Sequence, residues 1–492
     1  MKPERGYDLR RAGADLAAAN LWDGAGVARD GVWTFAPDPA LLPDASFLGA
    51  TLDSRVAQAG QLFAGLAGER TDGRGHVPQA LQAGAAAALT RRWDGAPPDP
   101  LFDGPAPAGA TVLLSRDPEA ALAVLAGCWR RQCPARIAGV TGTNGKTTTK
   151  DLLAALAGAA ARVHATAGNL NNDLGLPLTL LGLRRDHDVA VVEMGASRAG
   201  DIERLAALAS PQVGVITNAS GAHLEGFGSL AEIVNTKGAL LDHLPADGVA
   251  VLNADSPGYD AWRERCRCPV VSWGLAAGDH RWSWRPDPAG SGGLVTLGGR
   301  ELAVPLPGRH NGANLVAAWL AARALTGREP DAAHALAGFA ASPHRSRVIA
   351  AGGMWLLDDC YNANPASMLV AAAALADLPG DGRRLAVLGA MAELGADAAA
   401  LHRDTGRRLR AAGLDALWTV GGPAAELAAG FREAGGGAAT CEDADAAAAA
   451  LAADARAGDR ILFKGSRSAA VERALDAFLA HLGGPASARE TR

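Results

Sequence analysis

The segment that decides the fold of this 492-residue chain reads Arg136-Ile-Ala-Gly-Val-Thr-Gly-Thr-Asn-Gly-Lys-Thr-Thr-Thr-Lys150. A short apolar strand, a glycine-rich loop and the start of a helix follow one another here, which is the context that a phosphate-binding loop requires. Backbone N–H groups of such a loop, and of the helix N-terminus, point at phosphate oxygens. The segment therefore predicts a triphosphate site in a parallel α/β domain.

The side chains of this loop fit ATP and a divalent cation. Lys146 is expected to reach the β- and γ-phosphates, and the hydroxyl of Thr147 is expected to ligate Mg²⁺. The other predicted contacts to the nucleotide come from Gly142, Thr143, Asn144, Gly145 and Thr148.

Two other nucleotide sites fit the loop less well. Its glycines, at 139, 142 and 145, faintly resemble a dinucleotide loop, but the G-x-G-x-x-G spacing is not met. The Gly-Lys-Thr-Thr string favours a triphosphate instead. No Asn-Lys-x-Asp motif for reading guanine is present, which argues against a GTPase.

Strands and helices alternate on both sides of the loop, and this pattern predicts further parallel sheet. A chain of this length predicts about three domains. Helices are expected from about Lys146, over 311–325 and over the alanine-rich run 444–453. The strands are predicted at 111–114, 136–140, 188–193, 213–218, 249–253, 354–358, 385–388, 416–420 and 460–464, with a hairpin over 282–300.

Composition and charge exclude several classes of protein. The formal net charge is −5, so no basic surface for nucleic acid is expected. No signal peptide and no membrane span are apparent, which predicts a cytoplasmic protein. The six cysteines have no zinc-site spacing and are expected to be free thiols. Only five of the 47 basic residues are lysines, so a retained lysine suggests a role that arginine cannot fill.

The loop resembles that of the Mur ligase superfamily, the ATP-dependent ligases of peptidoglycan precursors and their folylpolyglutamate synthase relatives. Further segments run in family order through nearly the whole chain, and they narrow the resemblance to the branch that adds a D-alanyl-D-alanine dipeptide. These segments are Asp53-Ser-Arg55, Gly60-Gln-Leu-Phe-Ala-Gly-Leu66, Gly168-Asn-Leu-Asn-Asn-Asp-Leu-Gly-Leu-Pro177, Glu193-Met-Gly-Ala196, Ala222-His-Leu-Glu-Gly-Phe-Gly228, Gly308-Arg-His-Asn311, Asp358-Asp-Cys-Tyr-Asn-Ala-Asn-Pro365, Leu388-Gly-Ala-Met-Ala-Glu-Leu-Gly395 and Lys464-Gly-Ser-Arg467.

The resemblance implies a three-domain α/β ligase that forms a C–N bond and releases ADP. A central P-loop ATPase domain with a parallel sheet (116–328) would lie between an N-terminal UDP-substrate domain (1–115) and a C-terminal Rossmann-like ligase domain (329–492). The implied partners are small molecules, UDP-N-acetylmuramoyl-tripeptide and D-alanyl-D-alanine, in a monomer that meets neither nucleic acid nor membrane. The reaction would proceed through an acyl phosphate.

The resemblance and the strand pattern also imply a metal and phosphate set. Glu193 ends an apolar strand at a phosphate crevice and is assigned to Mg²⁺ with Thr147, against the alternative of an ordinary solvated glutamate. His223 would ligate a second Mg²⁺. Lys237, expected early in a helix, would be carbamylated to become a metal ligand; the alternative is a surface lysine. Arg345 would reach the γ-phosphate, with Arg347 as the alternative.

The remaining implied roles concern the nucleotide and the substrates. His310, Asn311 and Asn314 would hold the adenine, although helix capping by Asn311 is also compatible with the pattern. Asp359 would bind the ribose. Contacts to the UDP-linked peptide and to the dipeptide are expected from Ser54, Arg55, Asn169, Asn171, Asn172, Tyr361, Asn362, Asn364, Lys464, Ser466 and Arg467.

Four positions depart from the family pattern. Ala390 stands where an aspartate is usual, Ala239 where a glutamate is usual, Cys360 where a serine is usual, and His344 where a glycine is usual. Two alternatives therefore stay open: another amide ligase of the superfamily, of the diaminopimelate-adding or folylpolyglutamate type, or a catalytically impaired regulatory homologue. The absence of an Asp-Asn-Pro-Arg string argues against the diaminopimelate-adding enzyme. The segment at Asp53 argues against the folylpolyglutamate type.

Overall fold

The computed structural model describes residues 6–69, 71–92, 99–102, 105–221, 224–288, 290 and 292–483. Its first stretch alternates short strands with three helices. In chain order these are β1 (Tyr7–Asp8), α1 (Leu9–Ala18), β2 (Ala25–Arg29), β3 (Val32–Ala36), β4 (Ser46–Phe47), β5 (Ala50–Thr51), β6 (Leu62–Gly65), α2 (Val77–Gln82), β7 (Ala87–Arg91), β8 (Thr111–Ser115) and α3 (Pro118–Gln132).

The second stretch begins with the strand and the helix on either side of the phosphate loop. It comprises β9 (Arg136–Thr141), α4 (Lys146–Gly158), β10 (Val163–Ala165), α5 (Gly175–Leu181), β11 (Val189–Glu193), α6 (Asp201–Ala209), β12 (Val213–Ile216), α7 (Leu224–Phe227), α8 (Leu230–Asp242), β13 (Val249–Asn253), α9 (Tyr259–Arg265), β14 (Val270–Gly274), β15 (His280–Pro286), β16 (Gly293–Leu297), β17 (Arg300–Val304) and α10 (Arg309–Thr326).

The third stretch is again alternating α/β structure. It comprises α11 (Ala332–Ala335), β18 (Arg347–Ala351), β19 (Met354–Asp358), α12 (Pro365–Asp377), β20 (Arg384–Gly389), α13 (Ala398–Ala411), β21 (Ala416–Val420), α14 (Ala425–Glu433), β22 (Gly437–Cys441), α15 (Ala444–Asp454), β23 (Arg460–Lys464) and α16 (Glu472–His481).

The chain forms two compact units. The first contains 1–137, 161–194 and 204–210; the second contains 138–160, 195–203 and 211–492. In the first unit, strands lie in the order β3-β2-β8-β7-β6-β5, and β10 pairs in parallel with β11. In the second unit, β9, β12, β13 and β14 are parallel neighbours, and β15, β16 and β17 extend them. The predicted parallel α/β class is confirmed.

The last sheet has the order β18-β19-β23-β20-β21-β22, in which only β18 is antiparallel to its neighbour. Apolar side chains cover both of its faces. One cluster contains Phe463 with residues of α15 and α16, and the other contains Leu462 with residues of α12, α13 and α14. Burial on both faces explains the unbroken apolar runs of these strands.

Most predicted elements are confirmed, and two differ for identifiable reasons. The strand predicted over 213–218 ends at Ile216, because Thr217 and Asn218 bond to the phosphate loop instead. Lys237 lies in the middle of α8 rather than near its start. The helix begins earlier because Ser229 caps it by accepting a hydrogen bond from the Glu232 amide. The predicted domain boundaries stay predictions.

Candidate active site

The phosphate loop makes a tight turn that depends on two glycines. Gly142 and Gly145 have φ angles of +149° and +80°, a region that L side chains rarely adopt. A Cβ on Gly142 would lie 1.9 Å from Oγ1 of Thr217, and one on Gly145 would lie 2.3 Å from Oδ1 of Asn314. The loop therefore packs directly on its supports, and a side chain at either glycine would displace it.

Some of the loop amides are already bonded to the protein. The amides of Thr143 and Asn144 donate to the backbone and side-chain oxygens of Asn218, at 2.9 and 3.1 Å. No side chain among the described residues caps α4, and the first N–H groups of a helix have no acceptor inside it. A phosphate would therefore find its donors at the helix start, where Thr147 is 5% exposed and Thr148 is half-buried.

The residues that brace this loop were not among the predicted site residues. Thr217 Oγ1 and Asn218 Nδ2 both donate to the Asn144 carbonyl, at 2.6 and 3.0 Å. Ser220 bonds to Thr143 and Asn144 as well. The polar run that directly follows the apolar strand β12 could have indicated them.

Lys146 lies along the loop. Its Nζ is 3.0 Å from the carbonyl oxygens of Gly142 and Thr143. The ammonium is thereby kept at the mouth of the loop, where an anion would meet it. This placement is compatible with the predicted phosphate role, which stays a prediction.

The two asparagines of α10 are buried against the phosphate loop and its helix. Asn311 is 1% exposed and its Nδ2 donates to the Pro307 carbonyl at 2.7 Å. Asn314 bonds to Asn311 and accepts from Thr149 of α4. The N-cap is Gly308, so the capping role considered for Asn311 is wrong. Adenine contact stays a prediction for both.

A buried ion pair lies at the end of β19, near His310. Lys464 is 2% exposed and its Nζ is 2.5 Å from Oδ2 of Asp359 and 2.8 Å from the Asn362 carbonyl. Burial lowers the pKa of His310 to about 4; the positive charge of Lys464 adds to this effect and the negative charge of Asp359 opposes it. In this position the ammonium of Lys464 neutralises the carboxylate of Asp359 and does not extend toward solvent.

Arg345 lies on the loop before β18, and its guanidinium carbon is 3.9 Å above the ring centroid of Tyr361. Such stacking fixes the plane of the guanidinium while leaving its N–H groups available. Arg347, the sequence alternative, is the first residue of β18 and pairs with Asp358 in the strand register. The choice between Arg345 and Arg347 for the γ-phosphate stays a prediction.

The segment after β19 reaches the phosphate loop. Asn364 caps α12 by accepting from the Ser367 amide, and its Nδ2 donates to Oδ1 of Asn144 at 2.9 Å. In the adjacent loop, Ser466 is 2% exposed; its amide donates to the Ala390 carbonyl, and its Oγ accepts from Ala392.

One predicted substrate residue and one position that departs from the family pattern have other contacts here. Arg467 is exposed and pairs with Glu472 at 2.8 Å. Ala390 packs at the edge of the apolar cluster under α12. Substrate contact by Arg467, Ser466 and Asn362 stays a prediction.

Glu193 ends β11 in the first unit and is 1% exposed, so the alternative of an ordinary solvated glutamate is wrong. Its Oε1 accepts from Asn171 Nδ2 at 2.7 Å, and its amide donates to Thr166. Its Oε2 is buried and has no hydrogen-bond partner in the described structure. An unpaired buried carboxylate oxygen is costly unless a cation or donor reaches it.

Lys237 is 2% exposed, which rules out the surface-lysine alternative. Its Nζ lies 5.9 Å from the ring centroid of Phe227. Burial, with a contribution from the charge of Lys146, holds the pKa of this amine well below its ordinary value. Ala239 beside it is also buried. His223 lies outside the described residues, and those described contain no cluster of three or more metal-ligating His, Cys, Asp or Glu side chains.

The predicted UDP-substrate residues lie in the first unit. Ser54 is 8% exposed and donates to Gln79 at 2.9 Å, whereas Arg55 is exposed and makes a 2.7 Å ion pair with Asp53. Asn172 accepts from the Gly175 amide at the start of α5, and Asn169 is exposed. Arg55, Asn169 and Asn172 are the exposed members of this set.

Two further expectations concern disulfide bonds and membrane-spanning helices. The six cysteines, all among the described residues, form no disulfide, as expected. No helix in the described ranges is both long enough and apolar enough to cross a bilayer.

Comparisons with known proteins place the chain among ligases. Residues 140–322 match the Mur ligase middle domain, and residues 344–467 match the Mur ligase, glutamate ligase domain. The chain is 37% identical to UDP-N-acetylmuramoyl-tripeptide–D-alanyl-D-alanine ligase of Escherichia coli (strain K12), over 75% of this chain and 80% of that protein.

Solved structures agree with this family match. MurF from Acinetobacter baumannii superposes with a TM-score of 0.80 at 27% identity, covering 97% of this chain and 100% of that one. MurF ligase from Thermotoga maritima in complex with ADP gives a TM-score of 0.75 at 28% identity, covering 89% and 98%. The three-domain α/β fold class is confirmed by these matches.

Proposed function

The chain belongs to the Mur ligase family, and we propose that it joins D-alanyl-D-alanine to UDP-N-acetylmuramoyl-tripeptide with ATP as the energy source. The observation that carries this proposal is the 37% identity to the Escherichia coli ligase of that name over 80% of its length. The ATP-dependent ligase activity is common to the family. The findings support this activity rather than the diaminopimelate-adding, folylpolyglutamate or regulatory alternatives.

The chemistry explains why ATP is needed. A carboxylate is a poor acyl donor because its leaving group would be oxide. Attack of the carboxylate oxygen on the γ-phosphorus releases ADP and gives an acyl phosphate. The dipeptide amine then attacks the acyl carbon, a proton leaves the nitrogen, and inorganic phosphate departs. The protein contributes mainly alignment and charge neutralisation.

The phosphate loop would bind the triphosphate through the amides at the start of α4. Lys146 would move its ammonium a short distance from the loop carbonyls to the phosphate oxygens. Asp359 would contact the ribose, and Arg345 the γ-phosphate. Tyr361, Asn362 and Asn364 follow Asp359 directly, which suits the junction between ATP and the dipeptide.

The residues assigned to Mg²⁺ fit a divalent cation. The buried Oε2 of Glu193, which has no partner in the part of the chain that the structure describes, is an acceptor that a cation would satisfy. Thr147 would contribute its hydroxyl, with His223 and Lys237 at a second ion. Bound Mg²⁺ would neutralise charge between the carboxylate and the triphosphate.

Lys237 would act as a carbamate. Carbamylation joins the neutral amine nitrogen to carbon dioxide, with loss of one proton, and it creates a carboxylate-like ligand. Burial favours the neutral amine that this step requires. Arginine could not be converted in this way.

The remaining residues are assigned to different parts of the substrates. The N-terminal domain, with Ser54 and Arg55, would bind the uridine nucleotide, and Asn169, Asn171 and Asn172 the sugar–peptide arm. Lys464, Ser466 and Arg467 would support the C-terminal side. A cytoplasmic monomer that acts on dissolved small molecules is the simplest form consistent with these substrates.

The test measures ADP release with UDP-N-acetylmuramoyl-tripeptide, with and without D-alanyl-D-alanine. Dipeptide-dependent release is expected, with about 10²- to 10³-fold loss in the Lys146→Ala variant. Tripeptides ending in meso-diaminopimelate or lysine determine the preferred substrate. Release that ignores the dipeptide, or full turnover by Lys146→Ala, would overturn the proposal.

A further inference from the structure

The loop that carries Arg345 has a backbone that its sequence does not favour. His344 and Ser346, on either side of Arg345, have φ angles of +61° and +50°. A left-handed conformation is unfavourable for a non-glycine residue, because its Cβ lies too close to the following carbonyl oxygen. Such a conformation persists only where surrounding contacts hold it.

His344 supplies one of these contacts. Its Nδ1 lies 3.0 Å from Oδ2 and 3.2 Å from Oδ1 of Asp358, whose side chain is only 2% exposed. A carboxylate oxygen accepts hydrogen bonds, so Nδ1 carries the proton in this contact. The His344 carbonyl accepts from the Tyr361 amide at 3.1 Å. His344 is thus tied to the strand end and to the residue on which Arg345 stacks.

The other side of the turn is held through the backbone and the phosphate-loop helix. The Ser346 amide donates to Oδ1 of Asp359 at 3.0 Å. Ser342 Oγ donates to the Asp151 carboxylate of α4 at 2.6 Å. The backbone carbonyl of Ser342 accepts from the Arg345 amide. The Ser346 side chain is not part of this clamp.

We propose that His344 is a positioning residue that, through Asp358, fixes Arg345 over Tyr361 for recognition of the γ-phosphate. This inference rests on the proposed role of Arg345 in the ligase. The family pattern that this chain resembles has glycine directly before the arginine, and the left-handed φ of His344 explains why glycine suits that position. Glycine reaches that conformation without strain but has no side chain to hold the turn. In this chain the contact between the His344 imidazole and the Asp358 carboxylate holds the turn.

The experiment compares two glycine substitutions that flank Arg345. Both His344→Gly and Ser346→Gly relieve a left-handed residue, but only His344→Gly removes a clamping side chain. Affinities for fluorescent methylanthraniloyl-ADP and for the matching non-hydrolysable ATP analogue are measured with Mg²⁺. If loss of the clamping side chain leaves Arg345 over Tyr361 in only about a tenth of the molecules, the part of the ATP-analogue affinity that depends on Arg345 falls about tenfold. We expect that loss in the ATP-to-ADP preference of His344→Gly, and none in Ser346→Gly.

The Arg345→Ala background separates positioning from general destabilisation. There, His344→Gly should cause no further loss of ATP preference, because the group that it positions is gone. Equal effects of the two glycine variants, additive loss in the Arg345→Ala background, or no ATP preference in the wild type would overturn the inference. Should His344→Gly fail to fold, His344→Asn tolerates the left-handed backbone but is too short for the same contact.

The binding assay also distinguishes this inference from the proposed function. It requires no ligase turnover. A wild-type protein that prefers the ATP analogue but shows no dipeptide-dependent ADP release would contradict the ligase assignment alone.

Discussion

Asn364 Nδ2 donates a 2.9 Å hydrogen bond to Oδ1 of Asn144, so the N-cap of α12 contacts the phosphate loop directly. Asn144 Nδ2 donates in turn to Ser220 at 3.2 Å. The side chain of one loop residue therefore connects the segment after β19 with the segment after β12. Since Asn364 also caps its helix, its two functions can be separated by substitution.

The Asn364→Ser variant should keep the cap and lose the contact with Asn144. Serine is a good N-cap residue, but its hydroxyl is too short to reach Asn144. One hydrogen bond is worth about 0.5–1.5 kcal/mol, so kcat/KM should fall about two- to tenfold while Tm stays close to that of the wild type. Asn364→Ala, which loses both functions, should also lower Tm. An unchanged kcat/KM in Asn364→Ser would show that the contact is not used in turnover.

Substitution of Gly145 tests the packing under the loop. Gly145→Ala would place Cβ 2.3 Å from Asn314, which is held by Asn311 and Thr149. Displacement of this buried set should destabilise the protein by about 2–3 kcal/mol and weaken nucleotide binding. Gly435→Ala is the matched control, with φ +79° and nothing within 4 Å, and it should cost only about 1 kcal/mol. Denaturant unfolding and nucleotide titration measure both effects.

Lys237 predicts a stability that depends on pH. Its folded-state pKa is depressed, so the unfolded chain binds more protons between that pKa and about 10.4. Stability should therefore rise with pH across that window, by up to about 1.4 kcal/mol per pH unit. Lys237→Met should be more stable at neutral pH in carbon-dioxide-free buffer and should lose this slope. Urea unfolding at several pH values checks it, and equal slopes in both proteins would refute the prediction.

Glu193 predicts a metal-dependent change in stability. Its Oε2 is buried and has no hydrogen-bond partner among the described residues, so Mg²⁺ with an ATP analogue should raise the Tm of the wild type. Glu193→Gln keeps the shape of the side chain but removes its negative charge. Most of the Mg²⁺-dependent rise in Tm should therefore disappear. The analogue alone, without Mg²⁺, is the control. A rise of equal size in the variant would remove Glu193 from the metal site.

The sequence alone determined the fold class, the phosphate loop, about half of the described strands and the expected chemistry. It could do so because strand, helix and loop preferences are local, and because the motifs that carry the resemblance are contiguous. The segment from Thr141 to Lys150 predicted the phosphate loop and the start of α4, and the apolar run from Met354 to Asp358 predicted β19. The helix that starts at Pro365 and its cap by Asn364 were not predicted.

Only the tertiary structure revealed which polar groups already have partners. The amides of Thr143 and Asn144 are bonded to Asn218, Lys464 neutralises Asp359, and His344 is bonded to Asp358. Burial likewise distinguished Glu193 and Lys237 from surface residues. Hydrogen bonds and desolvation depend on residues that are distant in the chain, so residue type and spacing could not show whether a side chain is available to substrate or holds the site in place.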